Sequence, residues 1–143
     1  MNRLESINQE LSSMINSSSK DKLSNLCLTT CEYAINNSNL SNYQLIEEFI
    51  LRLKNNTDYS SIEIEKISNL MESHDEKYFD YDDEGKSDEA MGEFIKARGF
   101  ASLYYGAQYH NTSDKEILQE CIYEASMIQE DTSELFILLK DIL

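Results

Sequence analysis

The residues whose types and spacing could do chemistry are the acids and tyrosines of the stretch from His74 to Glu89, which reads HDEKYFDYDDEGKSDE. Asp75, Glu76, Asp80, Asp82, Asp83, Glu84, Asp88 and Glu89 face only Lys77 and Lys86, leaving −6 of the chain's formal charge of −15. Tyr78, Phe79 and Tyr81 are interleaved with them. Carboxylates draw in a cationic partner at long range, and aromatic rings hold it on contact. The chemistry expected here is recognition of a basic macromolecule through Asp75, Glu76, Tyr78, Asp80, Tyr81, Asp82, Asp83 and Glu84.

Other chemistries find less support. The two histidines, His74 and His110, lie in no HExxH frame and beside no nucleophile motif, and both read as surface or interface residues. The acidic run lacks the apolar shielding that a general acid requires. There is no glycine-rich phosphate loop and no basic patch for nucleic acid. No catalytic residue is assigned, and the chain is expected not to be an enzyme. Cys27 and Cys31 share a helical face, but no second Cys/His pair follows at zinc spacing, so these two and Cys121 read as small buried hydrophobes.

Calcium deserves a separate test. Asp80, Asp82, Glu84, Gly85 and Asp88 stand at the first, third, fifth, sixth and ninth positions of an EF-hand loop. Met91 occupies the last position, where a bidentate Glu is needed, and Ser87 replaces the usual apolar residue. No metal ligand or cofactor is therefore assigned. The nine tyrosines supply a further signal. Tyr104 and Tyr105 are neighbours and cannot both face inward on one helix, and Tyr109 with His110 falls at a helix end, which adds Tyr105, Tyr109 and His110 to the expected contact surface.

The elements that position these residues are helices. Proline is absent, only four glycines occur, and apolar residues recur at three- and four-residue steps, with no alternation long enough for a strand. The pattern predicts an all-α single domain, 1–143, of six or seven amphipathic helices arranged as αα-hairpins. The first runs from Arg3 to about Asn16; the second follows a cap at Ser18 or Ser19 and ends at the Asn36–Asn39 run. Capping boxes are expected at Ser41/Gln44, Ser60/Glu63 and Ser113/Glu116. The helix from Ser60 extends to Phe79 or Tyr81, Gly85 interrupts, and Ser87 caps the next helix. That helix carries Ala97, Gly99, Phe100, Ala101 and Gly106 and belongs at the centre of the bundle. A last helix spans about Thr132 to Leu143.

Charge separates the halves of the chain. Residues 1–71 carry −3 and residues 72–143 carry −12. Such a field repels nucleic acid and anionic lipid and accelerates encounter with cationic proteins. The opening MNRLESINQE has no apolar run of signal-peptide length, no stretch reaches a membrane span, and the odd cysteine count suits a reducing compartment, so a cytoplasmic location is expected.

In its strongly acidic, all-helical character, and in the segment FIKARGFASLYYGA from Phe94 to Ala107, the chain resembles helical immunity proteins of bacterial polymorphic and contact-dependent growth inhibition toxin systems. That resemblance implies tight one-to-one binding of a cognate basic toxin, often a nuclease, by covering its active site or substrate groove. The rival class is a helical adaptor. Ala90-x-x-x-Phe94-x-x-Ala97 matches the second helix of a tetratricopeptide repeat, although the first-helix pattern and the 34-residue period are missing. A degenerate EF-hand-like calcium binder is the third.

Overall fold

The computed structural model describes residues 2–143 and is built of eight α-helices: α1 (Arg3–Ile7), α2 (Gln9–Asn16), α3 (Lys20–Asn37), α4 (Leu45–Lys54), α5 (Ser61–Asp83), α6 (Ser87–Thr112), α7 (Lys115–Ser126) and α8 (Ser133–Ile142). The all-α class is as expected; the helix count is one more than the upper expectation. The extra helix arises at Asn8. Its backbone leaves the helical region at φ −153°, ψ 83°, and its side chain accepts from the Leu11 amide at 3.0 Å, so one residue closes α1 and caps α2. An asparagine side chain competes in this way with the continuing ladder wherever the chain can turn.

The capping expectations divide. Ser19 caps α3, and the Ser60/Glu63 box is present in both directions, Ser60 N–H donating to Glu63 at 3.0 Å and Glu63 N–H to Ser60 at 3.2 Å. The box at Ser41/Gln44 does not form. Residues 41–44 fold into tight turns, with Tyr43 N–H bonded to Leu40 O and Ile46 N–H to Tyr43 O, and α4 begins at Leu45 without a side-chain cap. Ser87 does not cap α6 either. Gly85 takes φ +74°, Lys86 N–H bonds back to Tyr81 O, and the helix resumes at Ser87 itself. Ser113 instead closes α6 in the left-handed region at φ 60°, and the cap of α7 passes to Asp114.

α6 is the central element. It packs along α5, α7 and α3, and α3 in turn receives α4, α7 and α8. The core that results is led by Phe100, Leu103, Leu11, Ile15, Leu26, Leu118 and Ile122, all without solvent exposure. Close approach to α6 depends on two small positions. A Cβ on Gly99 would lie 2.8 Å from Ser38 Cβ and 2.9 Å from Leu40 Cδ1, and one on Gly106 would lie 2.6 Å from Cys31 Sγ.

The three cysteines cluster around Gly106 as free, buried thiols. Hydrogen bonding toward Cys121 and burial together hold the Cys27 and Cys31 thiols well above the usual range. They are core, as their periodic placement indicated. No described helix is long and apolar enough to cross a membrane.

Candidate functional site

The acidic stretch is not a loop. Asp75 to Asp83 form the last turns of α5, Glu84 to Lys86 make the link, and Asp88 and Glu89 lie in the first turn of α6. The oxygens of a calcium loop are thereby spread over two helices, and no group of three or more His, Cys, Asp or Glu among the described residues is arranged to hold a metal ion. What forms is an αα-hairpin tip. No residue from 75 to 89 is buried, so the tip projects beyond the core.

The electrostatics of the tip run against local rules. α5 ends with Asp80, Asp82 and Asp83 and has no base in its last turn, so carboxylates sit at the negative end of the helix dipole. Asp88 and Glu89 at the start of α6 are favourably placed. Lys86 is the only base at the link: its ammonium lies 3.0 Å from Glu84 and 5.9 Å from the centre of the Tyr81 ring. Asp80, Asp82, Asp83, Asp88 and Glu89 form no ion pair among the described residues. Asp80, Asp82 and Asp83 stabilise neither their own helix nor the core, and such a cluster is where a sequence departs from its own fold.

Behind the tip stands an aromatic shelf. Tyr78 packs against Phe79 at 5.2 Å and Phe94 at 5.6 Å between ring centres, and Phe79 is 62% exposed. Neither Phe79 nor Phe94 is among the contact residues that the sequence predicts. Phe79 is exposed because the hairpin overhangs the core, and Phe94 stays half-buried beneath Tyr78, an arrangement no local pattern announces.

Not every expected contact residue belongs to this surface. Asp75 is taken up internally, 3.1 and 3.2 Å from the Arg98 guanidinium. Arg98 also binds the buried Glu124 at 2.7 Å, and Glu124 binds Arg3 at 2.9 Å, so one carboxylate ties α1 to α6 from its seat in α7. Tyr105, Tyr109 and His110 lie toward the other end of α6, about 35 Å from the link for Tyr109 at 1.5 Å per residue. Tyr109 is buried, which pushes its hydroxyl up to about 12 and removes it from any contact surface. His110 is occupied by Thr57 O at 3.1 Å and by the edge of the Tyr59 ring. Tyr105 is half-buried against Tyr104, and burial raises its hydroxyl, with Glu124 acting the same way. The structure therefore keeps Glu76, Tyr78, Asp80, Tyr81, Asp82, Asp83 and Glu84 on the hairpin, engages Asp75 beside them with Arg98, and places Tyr105, Tyr109 and His110 elsewhere.

His74 departs furthest from expectation. It is buried, stacked parallel on Phe100 at 5.7 Å, with Nδ1 2.5 Å from Glu93 Oε2 and Nε2 2.7 Å from the Tyr43 hydroxyl. A Glu93 carboxylate accepts from Nδ1–H, and with the ring in that tautomer Nε2 accepts from the Tyr43 hydroxyl. Burial raises the Tyr43 hydroxyl, and the Glu93 charge adds to the effect. With both ring nitrogens satisfied, His74 is a strut that holds the base of the hairpin to α6 and to the turn before α4.

Compared with models of known protein families, with curated proteins and with solved structures, the chain finds no match. The site is a helix-hairpin tip on which Asp80, Asp82, Asp83, Asp88 and Glu89 form no ion pair among the described residues, backed by aromatic rings on a helical core.

Proposed function

We propose that this chain is an inhibitory binding protein of the immunity type, which engages a cationic protein through the α5–α6 hairpin tip. The observation that carries it is the set of unpaired carboxylates Asp80, Asp82, Asp83, Asp88 and Glu89 on a tip without buried residues. Ions that serve no internal partner remain available to Lys and Arg of another protein. If the partner is a nuclease, the groups engaged are those that would otherwise hold phosphates, and occupying them excludes the nucleic acid. The Glu124 clamp and the His74 strut keep the hairpin base from reorganising, which lowers the ordering cost of binding.

The test is association kinetics with the protein encoded immediately upstream. The rate constant should fall steeply with salt, and Asp80→Asn, Asp82→Asn and Asp83→Asn together should lower it roughly threefold to tenfold. Lys20→Ala, in the less charged half, should leave it unchanged. Absence of binding, or binding whose rate ignores both salt and the triple substitution, overturns the proposal.

A further inference from the structure

A second surface adjoins the hairpin. We infer that the groove between α6 and α8 receives a basic amphipathic helix of the partner protein. This deepens the proposal above and rests on its premise that the partner is cationic.

The groove is a cavity of about 930 Å³ whose lining includes Ile7, Met91, Phe94, Met127 and Phe136. Ile7 of α1, the first turns of α6, the end of α7 with the α7–α8 link, and Phe136 of α8 together enclose it. A helix about 10 Å across and about 20 Å long, sunk halfway into the surface, displaces roughly 800 Å³. The size fits. The floor is buried at Phe136, whereas Ile7, Met91 and Met127 on the walls are 50%, 55% and 41% exposed. Large apolar side chains exposed around one concavity are what a helix-in-groove interface presents, and the unbranched methionines can adapt to the side chains that enter.

Charge selects the occupant. Glu130 and Asp131 line one end, and Asp131 is kept below the usual carboxylate range by hydrogen bonds from Ser133. Asp88 precedes Met91 by one helical turn on the same face of α6, which sets an acid of the hairpin beside the Met91 wall. The neighbouring bases are already neutralised: Arg98, 5.5 Å over the Phe94 ring, by Asp75 and Glu124, and Arg3, 4.3 Å over Tyr123, by Glu120 and Glu124. An apolar floor with acids at its margin calls for an apolar helix face flanked by Lys or Arg. A second copy of this chain is disfavoured, because each carries −15.

The experiment uses the full chain and two labelled peptides of about 18 residues, one with Leu and Lys at helical spacing and one of the same composition scrambled, followed by fluorescence anisotropy. The patterned peptide should bind about tenfold more tightly than the scrambled one. Met91→Ser with Met127→Ser, both at exposed positions, should weaken the patterned peptide about fivefold or more and leave the scrambled one unchanged. The Asp80/Asp82/Asp83 triple substitution should weaken both. Equal affinity for the two peptides overturns the groove and leaves the cationic-partner proposal standing; no binding of either overturns both. Self-association in sedimentation that the methionine pair abolishes, with no effect of that pair on peptide binding, assigns the groove to a second copy and overturns the inference.

Discussion

Gly99→Ala is the sharpest probe of the packing that positions the hairpin. In an isolated helix the change gains about 1 kcal/mol of propensity. In place, the new methyl would meet the Ser38 hydroxyl and lie 2.8 Å from Ser38 Cβ and 2.9 Å from Leu40 Cδ1. Ser38 and Leu40 have no solvent exposure, and the Ser38 hydroxyl is bonded to Ala34 O, so neither can swing outward. Cβ also rides on the backbone, so relief requires the end of α3 to move away from α6. Overpacking of this kind costs about 3 kcal/mol, the upper part of the usual range, and after the propensity gain a net loss of about 2 kcal/mol is expected. Gly92→Ala is the matched control, since it lies in the same helix with nothing within 4 Å of its added methyl. It should stabilise by about 0.5–1 kcal/mol. Urea denaturation followed by far-ultraviolet circular dichroism reads both, with unchanged slopes. Ser38→Gly on the Gly99→Ala background should recover part of the loss, and the double-mutant cycle isolates the contact. If Gly99→Ala is as stable as the parent while Gly92→Ala gains as expected, α6 does not approach the α3–α4 link as described.

Two further outcomes concern pH. Burial acts to raise the Glu63 carboxyl, but hydrogen bonds from Ser60 and Arg52 outweigh it and hold the group below its usual range. A lowered folded value contributes stability above the unfolded carboxylate range that is lost as pH falls through the folded value. Glu63→Ala should therefore cost about 1 kcal/mol at neutral pH, and thermal melts of parent and variant should converge in acid; a constant gap would count against the capping box and its Arg52 partner. Burial pushes Tyr109 up to about 12, so its contribution is complete below the unfolded tyrosine value and declines as pH rises through the folded one. Alkaline denaturation of Tyr109→Phe should lack part of the decline between about pH 10 and 12 that the parent shows; identical profiles would mean that Tyr109 reaches solvent.

Apart from the break at Asn8, local pattern sufficed for the elements. Apolar spacing and the absence of proline place most of the helices, Ser60 with Glu63 starts α5, and the small residues of Phe94–Ala107 mark α6 as central. These signals lie within one or two turns of chain, where sequence distance and spatial distance agree. The acidic tip was legible for the same reason, since its charge is contiguous in the chain.

Tertiary structure decided which of these groups remain available, because pairing across helices depends on how the helices cross. His74 finds Tyr43 across 31 positions and Glu93 across 19, which turns an expected surface histidine into a buried strut. Asp75 finds Arg98 across 23 positions and leaves the acidic surface. Tyr109, at the end of its helix, is covered by packing and not exposed by its position. The groove draws Ile7, Met91, Met127 and Phe136 from distant parts of the chain. Ile7, Met91 and Phe136 lie in helices and Met127 caps α7, and only the tertiary packing of α1, α6, α7 and α8 brings them to one cavity.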